Sequence, residues 1–304
     1  MSILVALLVF AVLFLLFISL VLFVIGPGML LQPYRRTLAY YRKHTSLLHP
    51  ADCGLSAEEL TVMTAEGIPL SCWFIPPRET SCGTVVILHG VSESKIAGIP
   101  MAQLLHLHGF TVVLYDSRRH GESGGRYCTY GFYEKHDPGT IINFLEREGK
   151  LPAGKIGLFG ASMGAAVALQ SAAIEPRIAA VAAESGFATL RAVFDEYQKR
   201  MIKLPFHYLR NIVIKRSEIL AHFRANAVSP LLAVRDLHIP ILLVHGGADA
   251  NIPPTASEQV YANANPPREL WIIPGARHDN MWDVGGEEYR GRVIAFFERH
   301  LAGR

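Results

Sequence analysis

Five residues constrain this chain more than any others: Gly160-Ala161-Ser162-Met163-Gly164. A short apolar segment of strand type, Ile156 to Phe159, precedes them, and a run rich in Ala, Leu and Gln, of helix type, follows. A serine on such a sharp strand-to-helix turn must hold a strained backbone, so its neighbours must be small. Gly160 lets strand and helix approach, and Gly164 lets the helix pack. The hydroxyl is then pushed out above the sheet edge. The amide of Met163 falls at the start of the following helix, where a developing oxyanion can be held. Gly-x-Ser-x-Gly alone is a weak signal, so the rest of the chain must supply a base, an acid and a second oxyanion donor.

The chain is long enough for one large α/β domain with an appendage, at 304 residues of which 50% are hydrophobic. A net charge of only +3 argues against a nucleic-acid surface. Cys53, Cys72, Cys82 and Cys128 show no Cys-x-x-Cys spacing and read as buried or half-buried thiols. A Cys72–Cys82 bridge between neighbouring strands stays open.

Ile3 to Ile25 carries no charge and is dominated by Leu, Val and Phe. At 1.5 Å of rise per residue such a helix reaches across a hydrocarbon core of roughly 30 Å. A cleavable signal peptide is the competing reading. It would want a basic leading region, a shorter apolar core and a small-x-small site, and none is present. The reading is a retained single-pass anchor over residues 1–27, followed by a juxtamembrane linker over 28–56. Arg35, Arg36, Arg42 and Lys43 flank its far side, which by the positive-inside rule keeps the main domain cytoplasmic. Tyr34, Tyr40 and Tyr41 fit either headgroup level or packing on the domain.

Beyond the linker, strands and helices alternate. Leu60–Thr64 and Pro69–Phe74 flank Ala65-Glu66-Gly67 as a hairpin. Thr84–Leu88, Thr111–Tyr115, Ile178–Ala183, Ile241–Val244 and Leu270–Ile273 are apolar runs of the kind buried on both faces of a parallel sheet. Helices are expected at 95–107, Asp137–Glu148 and Val293–His300. Such alternation implies right-handed crossovers and a mostly parallel sheet. Ligands then bind outside the C-terminal ends of the strands, and every chemically interesting residue falls at such an end.

The stretch 187–236 interrupts the alternation and reads as two or three helices lying over the site as a cap. Leu190, Phe194, Tyr197 and Met201 recur at helical spacing, followed by Ile212, Ile214 and Ile219. They either line an acyl pocket or only pack the cap on the sheet. Lys199, Arg200, Lys203, Lys215 and Arg216 make either a solvated lid face or a surface that rests on anionic headgroups.

With these segments in place the chain resembles the α/β-hydrolase superfamily from about Leu60 to the C-terminus. The resemblance rests on His89-Gly90, Asp116-Ser117-Arg118-Arg119-His120-Gly121-Glu122-Ser123, Gly160-Ala161-Ser162-Met163-Gly164, His245-Gly246-Gly247-Ala248-Asp249 and Gly275-Ala276-Arg277-His278. The cap before the Asp249 strand is similar to the serine aminopeptidase-like and lysophospholipase-like branch. The resemblance implies an α/β fold over 57–304, with a mostly parallel eight-stranded sheet, helices on both faces and a small helical cap. It also implies a Ser-Asp-His order, with Ser162 as nucleophile, His278 as base and Asp249 as acid. An unperturbed imidazole pKa of ~6.5 suits both accepting and returning the serine proton. The oxyanion falls to the amides of Met163 and Val91, each worth about 3 kcal/mol.

Rival residues exist. Glu184 also follows a strand and competes with Asp249 as the acid. His89 reads as ordering the oxyanion turn, His120 as structural and His245 as supporting the Asp249 loop. Asp116 reads as capping a turn and Asp137 as a helix N-cap. No residue cluster suggests a metal and no glycine-rich loop a nucleotide, so no cofactor is expected. The expected activity is serine hydrolysis of a carboxylic ester, with a small-molecule or lipid substrate such as a lysophospholipid or monoacylglycerol. Thioesterase, acyltransferase and peptidase chemistry would use the same residues, and a non-catalytic binding protein could keep the fold.

Overall fold

The computed structural model describes residues 3–152, 154–201 and 207–302. Its centre is a sheet of eight strands: β1 Glu58–Met63, β2 Pro69–Ile75, β3 Thr84–Leu88, β4 Thr111–Tyr115, β5 Ile156–Ala161, β6 Ile178–Glu184, β7 Ile241–Gly246 and β8 Arg268–Ile273. The order is β1-β2-β4-β3-β5-β6-β7-β8. β1 pairs antiparallel with β2 and β2 with β4, and every later pairing is parallel. The mostly parallel eight-stranded sheet expected from the alternation is therefore the one observed. β3 and β4 are buried along their whole length, as their continuous apolar runs require.

Helices cover both faces. The longer helices of the chain are α1 Ile3–Leu31, which stands off the sheet over Ile3–Leu20, α2 Ile99–Leu107, α3 Asp137–Arg147, α4 Met163–Ala172, α5 Leu190–Met201, α6 His207–Ala221, α7 Thr255–Asn263 and α8 Met281–Phe297. One apolar core lies under α3 and α4 and takes in Ile141, Leu145, Val167 and Leu169; the other lies under α2 and α8 and takes in Ile99, Leu105, Val293 and Phe297. α4 is so rich in Ala and Gly that all ten of its residues are buried flush against the sheet. α8 is kinked at Gly286 (φ 55°, ψ −138°) and starts well before the expected Val293; Met281 and Tyr289 also face the core.

The N-terminal helix also runs further than its uncharged stretch. It passes through a wide turn at Val21–Ile25, closed by Gly26 N–H on Val21 O, and continues to Leu31. The wide turn resets the register, so Pro27 falls in a first turn, where its missing N–H has no partner to lose. Segment 28–56 lies on the domain rather than away from it. Leu31 and Tyr41 are buried, Tyr34 is exposed, and Leu31 O accepts from Cys128 N at 2.8 Å. All four cysteines are free thiols.

The stretch 187–236 forms α5, α6 and short turns. Leu190 and Phe194 are buried beneath it, Ile214 is buried, and Ile212 and Ile219 point outward. Lys203 and the Met201 side chain lie outside the described residues.

Candidate active site

Ser162 sits between β5 and α4 with φ 55° and ψ −115°, a conformation that L-residues rarely adopt. Three features hold it there. Its N–H donates to Glu184 O at 2.7 Å on the neighbouring strand. A Cβ on Gly160 would stand 2.3 Å from Gly164 O, and one on Gly164 would stand 2.1 Å from Leu88 O. The turn is thus packed backbone against backbone, and both positions require glycine.

The strand ends bring three side chains together. His278, after β8, places Nε2 2.9 Å from Ser162 Oγ and Nδ1 2.6 Å from Asp249 Oδ2. Asp249, after β7, accepts at Oδ1 from Asn251 N at 2.8 Å and Ile252 N at 3.0 Å. Burial alone would push the Asp249 carboxyl up. Hydrogen bonds from His245 and His278, the His278 charge and the Ile252 N–H outweigh it and hold the group well below the usual carboxylate range. Asp249 is therefore an anion beside the imidazole.

Glu184 takes a different position. Its carboxylate accepts from Tyr289 O–H, and burial raises its pKa. It lines the same cavity as Ser162, while the carboxylate hydrogen-bonded to His278 is that of Asp249.

The surrounding histidines have separate partners. His89 accepts from Ser117 N at Nε2 (2.9 Å) and donates from Nδ1 to Gly90 O (2.7 Å), and burial lowers its pKa, so it is neutral. It links the loops after β3 and β4. His120 is pushed down to about 3 by burial and by the neighbouring His89 ring, and it donates from Nδ1 to Arg118 O. His245 is bonded to Ser257 Oγ and Ile252 O under the Asp249 loop.

Asp137 differs from its sequence-based role, and Asp116 does more than cap a turn. Asp137 is the first residue of α3 but caps nothing; its side chain accepts from Arg118 Nε at 2.8 Å in a buried ion pair. Asp116 accepts from Lys95 N, Lys95 Nζ and Glu122 N at 2.7–2.9 Å, tying the loops after β3 and β4 together. Lys95 is 3% exposed and no sequence signal marked it.

A cavity of about 610 Å³ opens beside Ser162. Val91 lines it on the loop after β3; Met163 opens α4, where its N–H faces the helix start. Tyr197 and Arg200 from α5, with Met281 and Trp282 from α8, supply other walls. The N-terminal segment braces the Val91 loop: Arg36 N donates to Ser92 O at 3.1 Å, Arg36 pairs with Glu93, and Tyr41 O–H donates to Glu93 at 2.5 Å while accepting from Ser94 N. Sequence reasoning missed this brace, because no local pattern links residues 36–41 to 92–94. Among the described residues, no group of three or more His, Cys, Asp or Glu is placed to hold a metal.

Comparison with known proteins follows the same lines. A family profile described as "Serine aminopeptidase, S33" matches residues 79–229. The chain is similar to the uncharacterized protein YqkD of Bacillus subtilis, 31% identical over 243 residues covering 78% of each chain. It is similar to the uncharacterized protein YfhR of Escherichia coli K12, 29% identical over 248 residues covering 79% of this chain and 80% of that one. Among solved structures it is similar to the Pyrococcus furiosus esterase Pf2001, with TM-score 0.73 and 27% identity over 89% of this chain and 98% of that one.

Proposed function

The chain belongs to the α/β-hydrolase superfamily, in its serine aminopeptidase-like branch, and from that premise we propose that it is a membrane-anchored serine hydrolase that cleaves carboxylic esters. The observation that carries this reading is the continuous hydrogen-bond relay Ser162–His278–Asp249 opening on a cavity of about 610 Å³. The likeness to an esterase supports ester over amide as the bond attacked.

In this mechanism His278 Nε2 takes the Ser162 proton as Oγ attacks the ester carbonyl. The Asp249 anion keeps the proton on Nδ1 and stabilises the imidazolium. The Met163 and Val91 amides receive the oxyanion. His278 then returns its proton to the leaving alcohol, and water hydrolyses the acyl-enzyme by the same steps. Glu184, its pKa raised by burial and its carboxyl paired to Tyr289, stays outside the relay.

The anchor is residues 1–27, with 28–56 juxtamembrane and 57–304 catalytic, on the cytoplasmic side. A helix from Ile3 to Leu31, whose most apolar 18 residues have a mean hydropathy of 3.4 and are almost wholly exposed, supports it. Anchor and cap together favour amphiphilic acyl esters, a lysophospholipid or monoacylglycerol. The test is fluorophosphonate labelling of the purified chain, followed by turnover of p-nitrophenyl esters of graded chain length and of matched thioesters and aminoacyl amides. Labelling that persists in Ser162→Ala refutes the nucleophile. Faster turnover of thioester or amide than of ester refutes the substrate class.

A further inference from the structure

A second concavity, of about 510 Å³, lies between the N-terminal helix and the cap. Phe23 of α1 forms one side, and Tyr208, Ile212, Lys215, Arg216 and Ile219 of α6 form the other. The two helices meet so closely that a Cβ on Gly26 would stand 2.9 Å from a Val213 methyl carbon. The cap is therefore seated on the helix that precedes the domain. Yet the apolar residues along this seam are open to the outside: Tyr208 is 86% exposed, Ile219 53% and Phe23 48%. Exposed aromatic and aliphatic side chains gathered at one place mark a surface that expects company.

The position of the seam says what kind. Taking α1 as the anchor, its uncovered part is the stretch Ile3–Leu20 of 18 residues, which at 1.5 Å each is roughly 27 Å, close to a full hydrocarbon core. The membrane surface then falls at the wide turn Val21–Ile25, and Phe23 and α6 stand at headgroup depth. The chemistry of the groove grades in the same way. Phe23, Ile212 and Ile219 are apolar, Tyr208 has the amphipathic ring favoured at interfaces, and Lys215 and Arg216 are cationic. Lys215 is exposed and only loosely paired with Glu218 at 3.4 Å. Arg216 Nε is buried with no hydrogen-bond partner among the described residues. A guanidinium whose Nε lacks an acceptor, beside an apolar groove, calls for an anionic one.

We propose that this groove binds an anionic phospholipid of the bilayer, its acyl chain along Phe23, Ile212 and Ile219 and its phosphate on Lys215 and Arg216. The proposal rests on the anchor reading above and extends it: α6 is an interfacial helix, and the cap is held at the lipid surface independently of substrate.

The test uses the full chain in nanodiscs of phosphatidylcholine with and without phosphatidylglycerol. The probes are photoreactive diazirine analogues of each lipid, and labelled peptides are mapped by mass spectrometry. Phosphatidylglycerol label is expected on 207–221 and at Phe23, exceeding phosphatidylcholine label there. K215Q/R216Q should lower the α6 label on the order of 10-fold or more, leaving label on Ile3–Leu20 unchanged. The exposed single variant K215Q should lower it severalfold, and fluorophosphonate labelling of Ser162 reports that each variant is folded. Equal labelling by the two lipids, or an α6 free of label while Ile3–Leu20 is labelled, overturns the site. Carbonate washing separates the two readings: release of the wild-type chain from vesicles overturns the anchor and the site together, whereas retention without α6 label overturns the site alone.

Discussion

The turn around Ser162 and the cap over it are built by opposite means. At the turn, backbone meets backbone: Gly160 lies on Gly164, Gly164 lies on Leu88, and all ten residues of α4 are buried. In the cap, side chains do the work, and α6 buries only Ile214, Ser217 and Ala221 of its 15 residues. Backbone packing leaves no room for substitution, so chemistry that depends on fixed geometry belongs there. Side-chain packing tolerates exchange, so the proposed contacts with substrate and membrane belong in the cap. Substitutions near the turn should act on turnover or folding as a whole, and those in the cap on preference.

The largest test of that contrast is at the acid. Asp249→Asn should lower kcat on the order of 10⁴, because the Nδ1 proton loses its acceptor. Glu184→Gln, in the same cavity but bonded to Tyr289, should lower it less than about 10-fold. Equal losses in the two variants would erase the distinction between the carboxylates.

Next is the packing itself. Gly164→Ala places a methyl 2.1 Å from Leu88 O. The fold should lose about 4 kcal/mol or more, read from the denaturation midpoint. A variant with an unchanged midpoint would show that the turn yields.

Truncation compares the turn with the segment that braces it. A chain starting at residue 28 should keep its turnover of short soluble esters. One starting at residue 42 lacks Arg36 and Tyr41, which hold Ser92, Glu93 and Ser94. Its kcat should fall on the order of 10², with Ser162 still labelled slowly. Equal kcat in both truncations would show that the Val91 loop holds itself.

A pH series probes the buried imidazoles behind the turn. His120 is held at about 3 in the folded chain, against about 6.5 when unfolded. Between those values the unfolded chain binds a proton that the folded chain refuses. Stability is therefore retained above about pH 6.5 and falls as pH drops toward 3, by up to about 1.4 kcal/mol per unit for this group. His89 adds to the loss with the same sign. His120→Asn should show the shallower slope of melting temperature against pH, and an unaltered slope would place the proton uptake elsewhere.

The smallest effect belongs to the cap. Tyr197→Ala, in the cavity wall, should lower kcat/KM for a long-chain ester about 10-fold and leave a short ester within about twofold. Matching losses on both esters would mean that the cap wall shapes the chemistry and not the choice of substrate.

What could be read in the chain before its fold was known follows the same division. The Ser162 turn, the buried strands and the positions of Asp249 and His278 after β7 and β8 depend on neighbouring residues, and neighbours are visible in a sequence. Asp137 shows the limit. An acidic residue opening a helix looks like a cap, but Arg118 from the loop after β4 claims its carboxylate. The helix that begins at Ile3 runs past Gly26-Pro27 to Leu31, because a wide turn at Val21–Ile25 absorbs the proline.

The sequence by itself determined the strands, the mostly parallel sheet they make and the strained turn that exposes Ser162, because periodicity and glycine placement act over a few residues. Only the tertiary structure decided which of two strand-end carboxylates meets His278 and that residues 36–41 brace the loop carrying Val91. It alone also seated the cap on the N-terminal helix. Each of those choices is a distance between segments far apart in the chain, settled when the sheet brings their ends together.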